Sequence, residues 1–280
     1  MDRRTFLKTT GIGGATVVGS LFLVGVGLRK RPRTLAEGGP PNQRDWTLAF
    51  HDRFRGDTLD EEKWGVGWGW GRTTNSSPTR IRPENVAVND GVLSLQGTHD
   101  GSETFSGAVN TKNIVSFGPG SYVEARIKFA KREGVLNAFW AKPVSERWPP
   151  EIDVVELFQE GNRPDEVERA HHHLHYSRSG EPSDETTYED VQATSTPGGD
   201  LTTAYHTYGL EWREDRVVPY VDGVAVHEWT DETILRALAA GGPFYLMLSL
   251  NIDKLGTPDR SESWGETMLV DWVRLWEHRG

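Results

Sequence analysis

From Trp46 onward the sequence is cut into short apolar-alternating runs by Gly, Pro, Asn and Asp, a punctuation that leaves almost no room for helices. The spacing predicts strands near 46–51, 85–88, 92–96, 108–115, 122–129 and 135–141. Further strands are expected near 152–158, 171–176, 206–212, 217–221, 224–229, 244–251 and 268–276. Asp222-Gly223 between two of these runs is a two-residue hairpin signal. Only 231–240 has helical spacing, with Asp231 at its start and glycines at its end. So many short strands with one helix specify an all-β, two-sheet sandwich. Runs such as Tyr122-Val-Glu-Ala-Arg-Ile-Lys-Phe129 alternate, which suits one face on a core and the other in solvent or a cleft.

Residues 46–280 form one expected domain, a usual size for a sandwich. Ahead of it, Arg3-Arg4-Thr5-Phe6-Leu7-Lys8 and the uncharged stretch 9–28 look like a twin-arginine export signal occupying residues 1–33. The glycines and threonines of that stretch make it a weak anchor, so secretion and membrane attachment both stay open. Residues 34–45, rich in Gly and Pro, read as a linker. The chain has no cysteine, which excludes disulfides, thiolate metal sites and a cysteine nucleophile. Residues 1–33 hold seven Lys/Arg and one acid, leaving 24 basic against 40 acidic residues in the remainder, a net −16. Such acidity argues against nucleic acid as a partner and suits a surface adapted to high salt. Nothing in the sequence points to an obligate protein partner.

The most unusual stretch is Trp148-Pro-Pro-Glu151-Ile-Asp153-Val-Val-Glu156-Leu-Phe158, with three acids inside an otherwise apolar strand. Alternation puts Glu151 and Asp153 on one face and would send Glu156 to the other. A β-bulge absorbs one residue and returns Glu156 to the face of the other two. The glutamates are then four strand positions apart, roughly 13 Å between Cα atoms at about 3.3 Å per residue. Side chains leaning inward can bring the carboxyl groups to the roughly 5–5.5 Å that marks retaining glycosidases. Three carboxylates on one face cannot all ionise cheaply, so one is expected to hold a proton. Glu151 is the expected nucleophile, Glu156 the general acid/base, and Asp153 the group that hydrogen-bonds the nucleophile and helps set the proton's position. A solvated acidic edge strand is the competing reading. Ile152, Val154, Val155, Leu157 and Phe158 favour an interior strand instead, where unpaired acids are costly.

The pattern Glu151-Ile-Asp153-Val-Val-Glu156 resembles the signature of glycoside hydrolase family 16 in its longer, bulged form, as in laminarinase-, lichenase- and agarase-like enzymes. Phe54–Trp64, Ser106–Lys112, Gly120–Lys128, Ala138–Trp140, Tyr205–Trp212, Tyr220–Gly223 and Val270–Arg274 are similar to further family segments, in order, across roughly 46–278. The resemblance implies a concanavalin-like β-jelly-roll with a cleft across its concave sheet and retaining, endo-acting hydrolysis of a β-linked polysaccharide, a β-glucan or β-galactan. It implies no organic cofactor. It also places Trp148 near the cleavage point, Trp140 in the cleft and His175 as a sugar hydrogen-bond donor. One difference stands out: β-1,3-glucanase members usually carry W-G-N-x-E-x-Q where this chain has Trp70-Gly-Arg-Thr-Thr-Asn-Ser.

Sugar rings stack on aromatic faces, and the Gly-rich run 64–71 holds Trp64, Trp68 and Trp70, of which at least one should face the cleft. Trp70 and Asn251 complete the expected substrate-binding set. His171, His173 and His175 share a strand face, yet three ligands so spaced converge poorly on a tetrahedral zinc ion. Relatives of the family bind a structural Ca²⁺ on the convex side, and Asp271 and Gly91 occupy the matching positions. Two readings compete with hydrolysis: a transglycosylase of the same fold, and a non-catalytic carbohydrate-binding, lectin-like module.

Overall fold

The computed structural model describes residues 38–280 apart from 74–78, 160–163, 253–258, 260 and 262. The export signal read at 1–33 and the first residues of the linker lie outside the described residues. Within the linker, Gly39 and Pro40 are buried and the Gly39 N–H donates to Glu124 Oε2 at 2.6 Å, so this part packs on the domain.

The strands, numbered along the chain, are β1 (Trp46–Asp52), β2 (Gly65–Val66), β3 (Arg80–Ile81), β4 (Val86–Asn89), β5 (Val92–His99), β6 (Thr104–Ser106), β7 (Ala108–Asn110), β8 (Ser121–Lys128) and β9 (Val135–Pro143). They continue with β10 (Glu151–Phe158), β11 (Ala170–Ser177), β12 (Tyr188–Ser195), β13 (His206–Trp212), β14 (Val217–Val221) and β15 (Val224–Ala225). Helix α1 (Glu232–Ala240) then precedes β16 (Phe244–Ile252) and β17 (Trp264–His278). One sheet has ten strands, in the order β15-β14-β13-β8-β17-β5-β6-β3, with β1 on the end of β17 and β4 on β5. The other runs β12-β11-β10-β9-β16-β7-β2.

Alternation explains the layering. Val123, Ala125 and Ile127 of β8 and Val273 and Leu275 of β17 meet Phe139 of β9, Ile152 and Leu157 of β10 and Leu246, Leu248 and Leu250 of β16 in one core. The polar partners of these strands therefore face outward, those of β9, β10 and β16 into the concave side. A second cluster, Trp46, Tyr122, Val218, Tyr220 and Trp276, covers the outer face of the ten-stranded sheet. Asp222 and Gly223 both take positive φ (49° and 76°), as the tight hairpin between β14 and β15 requires. Asp231 caps α1 by accepting from the N–H groups of Thr233 and Ile234.

Two expected strands are shorter than the apolar runs suggest. The 108–115 run ends at Asn110, because the chain turns at Thr111, whose hydroxyl and carbonyl are bonded back by Val115. The 224–229 run is a strand only at Val224–Ala225, with Trp229 returning to bridge Val217.

Candidate active site

Strand β10 carries the acids, and its register departs from regular pairing where the sequence required it. Glu151 opposes His175, Asp153 opposes His173 and Glu156 opposes His171, with a shift between Asp153 and Glu156. Against β9 the shift falls between Asp153 and Val155. Val154 is the inserted residue, absent from both ladders. Val154 and Val155 are both fully buried in the core, so the acids before and after them share the concave face.

An inserted residue leaves a backbone carbonyl without a ladder partner, a cost inside a core. His172 supplies the missing donor: its Nδ1 lies 2.6 Å from the Val154 carbonyl. Burial, only partly offset by that carbonyl, takes the His172 pKa down to about 4, so at neutral pH the ring is an uncharged donor. The bulge is thus held from the neighbouring strand by a side chain that points into the core.

The three carboxylates line one cavity of about 300 Å³, together with Trp68, Trp70, Leu136, Ala138, Trp140, Lys142, Trp148 and Asn251. All three catalytic candidates and four of the five sugar-binding candidates, Trp148, Trp140, Trp70 and Asn251, are therefore brought together. The fifth, His175, reaches the acids directly, with Nε2 3.0 Å from Asp153 Oδ2 and 3.8 Å from Glu151 Oε1. Trp140 is fixed by its indole N–H on Ser249 Oγ at 3.1 Å. Trp70 is 41% exposed and stacks on Trp68 at 5.7 Å, with Lys142 Nζ 4.4 Å over its ring. Trp64 belongs to the core, its indole N–H bound to Asp52.

Three functional contacts were not read from the sequence. His173 Nδ1 sits 2.7 Å from Glu156 Oε2. Burial alone would depress His173, but the hydrogen bond and charge of Glu156, with Asp153 behind it, hold its pKa above the ordinary value. Tyr188, on the strand missed in the sequence, places its hydroxyl 2.8 Å from His175 Nδ1 and packs against Trp148 with centroids 4.8 Å apart. His171 is tied to Glu166 at 2.8 Å, and burial lowers its pKa. The signal for the two histidines was period two: every second residue of β11 faces the acids.

The three histidines of that face lie side by side, adjacent rings at 6.4 Å and 5.8 Å, and each turns to a different carboxylate. They do not converge on one zinc ion. Two overlapping sets do place their donor atoms within 4.8 Å of one another, Glu151/Asp153/His175 and Asp153/Glu156/His173. Both consist of the acids that sugar chemistry would need free.

The calcium expectation at Asp271 and Gly91 does not fit. The Asp271 carboxylate is taken by Arg126 Nη1 at 2.6 Å, and Arg274 and Arg53 add positive charge nearby. A cation that needs several oxygen ligands meets guanidinium groups there instead.

The family model described as "Beta-porphyranase A-D, GH16 domain" matches residues 46–278. The glucan endo-1,3-beta-glucosidase A1 of Niallia circulans is 30% identical over 83% of this chain and 38% of its own length. The kappa-carrageenase of Pseudoalteromonas carrageenovora is 26% identical over 82% of this chain and 64% of its own. The X-ray structure of an endo-beta-1,3-glucanase from Pyrococcus furiosus superposes with a TM-score of 0.67 at 27% identity, covering 83% of this chain and 95% of that one. The chain spans less than half the length of the first curated relatives it matches.

Proposed function

The chain belongs to glycoside hydrolase family 16, and on that premise we propose that it is an endo-acting, retaining hydrolase of a β-linked galactan. The observation that carries this reading is the bulge at Val154, which puts Glu151, Asp153 and Glu156 in one cavity floored by tryptophans. Glu151 attacks the anomeric carbon while Glu156 protonates the departing oxygen. Water activated by Glu156 then releases the glycosyl group from Glu151 on the same face. His173, 2.7 Å from Glu156 and held above its ordinary pKa by that carboxylate, lies within hydrogen-bond reach of the acid/base oxygen. His175, bonded to Tyr188 through Nδ1, sets its Nε2 3.0 Å from Asp153 and steadies that carboxylate beside the nucleophile by charge.

Three features favour a galactan over a β-1,3-glucan. The matching family model is named for beta-porphyranases. The 70–76 segment lacks the glucanase pattern. Lys142 sits over Trp70 inside the cleft, where a cation suits a sugar bearing a negative group. The Arg3-Arg4 segment supports export by the twin-arginine route, where such polymers are met.

Reducing-end release from porphyran, agarose, κ-carrageenan, laminarin and lichenan separates the substrates. The reading expects a galactan to be cut to oligosaccharides of several lengths. Release from laminarin or lichenan alone would refute the galactan assignment, and binding without release from any polymer would favour a lectin-like module.

A further inference from the structure

A cavity of about 660 Å³ lies outside the cleft. It sits on the opposite side of the sandwich, where β1 and the end of β17 form the outer face of the ten-stranded sheet. Trp46 and Trp276 line it, together with the four cationic residues Arg53, Arg55, Lys63 and Arg274. Four cationic residues around one cavity are unexpected where residues 34–280 carry a formal charge of −16.

The acids of the cavity are already engaged. Asp52 accepts from the Phe54 N–H and the Trp64 indole, both at 2.9 Å, and Lys63 answers Asp52 at 3.6 Å and Asp60 at 3.3 Å. Arg53 and Arg55 make no ion pair or hydrogen bond among the described residues. Arg274 lies 3.8 Å over the Trp272 ring. Burial pulls its pKa below the ordinary guanidinium value, against the opposing charge of Glu124 and with a smaller push from Arg53. Guanidinium groups at a cavity wall that no acid of the cavity engages are suited to an anion.

The backbone that carries the two arginines is held by the residue between them. Between them Phe54 is 3% exposed, packs against Trp64 with centroids 5.8 Å apart, and takes φ 50°. A phenylalanine in the left-handed region costs about 1–3 kcal/mol and persists only where its surroundings demand it. Here the turn buries Phe54 and leaves Arg53 and Arg55 both at the cavity. Arg126 on Asp271 belongs to the same pattern: the expected cation site is occupied by protein cations.

We propose that this cavity is a second glycan-binding site, remote from the cleft, that takes an anionic sugar through Arg53 and Arg55. The ligand class, a sulfate- or carboxylate-bearing polysaccharide, rests on the reading of the chain as a glycanase; the anion preference does not. A second site on the same polymer raises the effective concentration of substrate at the cleft without changing its chemistry.

Affinity electrophoresis of the full chain in gels containing κ-carrageenan, polygalacturonate or neutral dextran tests this. Wild type should be retarded by one or both anionic polymers and not by dextran, the two gels telling sulfate from carboxylate. R53A/R55A should lose about tenfold in apparent affinity, as expected for two charge-assisted contacts. R216A/R236A, which removes the same charge elsewhere, should behave as wild type. Cleavage of a short oligosaccharide by R53A/R55A should match wild type. Hydrolysis is read separately, so a chain that cuts no glycan but shows arginine-dependent retardation keeps the anion site. Equal retardation of R53A/R55A and wild type, equal loss in R216A/R236A, or arginine-dependent binding to phosphatidylglycerol vesicles without retardation in any gel would overturn the proposal.

Discussion

Replacing His172 tests whether the catalytic strand owes its shape to a residue that never meets substrate. The ring is fully buried, and its Nδ1–H is the donor for the carbonyl of the inserted Val154. His172→Leu keeps most of the volume and leaves that carbonyl unpaired, a penalty of about 1–3 kcal/mol. His172→Ala adds a cavity, for a total of roughly 2–5 kcal/mol. In a domain of this size that lowers Tm by about 5–15 °C. His172→Asn presents an amide N–H at nearly the same reach. If the bulge relaxes, Glu156 shifts relative to Glu151, and a displacement near 1 Å can cost about 100-fold in rate. The expected result is kcat down by about two orders of magnitude in His172→Leu, KM changed only a few-fold, and most of kcat restored in His172→Asn. Thermal melts and steady-state kinetics on one polysaccharide read both quantities. A leucine variant with wild-type kcat, or an asparagine variant no better than leucine, would refute the reasoning.

Glu156→Ala should lose activity on polymer yet retain it on glycosides with good leaving groups, which need no proton, whereas Glu151→Ala should lose both; chromogenic and polymeric substrates run in parallel decide this. Stability should fall as pH drops from 6.5 toward about 4, because the unfolded chain protonates His172 in that window and the folded one does not. The loss is on the order of 3 kcal/mol, visible in urea melts and absent in His172→Asn. His173 acts in the opposite sense, its contribution being full below 6.5 and lost as pH rises through its raised folded value. Tm should rise between 0.1 M and 1 M salt, as the screening length shrinks from about 10 Å to about 3 Å around residues 34–280, whose net charge is −16; a flat or falling curve would remove the salt argument.

The strands that sequence located well are those with one face in the core, where alternation is enforced by burial. Strand β12 was missed because Tyr188-Glu-Asp-Val-Gln-Ala-Thr-Ser195 lies at a sheet edge and alternates between exposed and half-buried positions, with only Val191 and Ala193 touching the core. With it went Tyr188, whose role depends on register with His175 across two strands and has no local signature. The bulge itself was legible, since three acids on one face of an apolar strand demand an inserted residue. What holds the bulge was not: His172 is one of four histidines in five positions, and only the pairing of β10 with β11 shows which one meets the Val154 carbonyl. The partner of Asp271 was illegible for a related reason, because the sequence does not show the Arg126 that faces it from β8.

The stereochemistry of the first product tests the central claim most directly. If the bulge brings the carboxyl groups of Glu151 and Glu156 to the roughly 5–5.5 Å of retaining enzymes, no water fits between nucleophile and sugar and hydrolysis passes through a glycosyl-enzyme. Proton NMR of the anomeric signal in the first minutes, before mutarotation, should then show the β product alone. An α product at early times would contradict the role given to Glu151 and the geometry on which it stands.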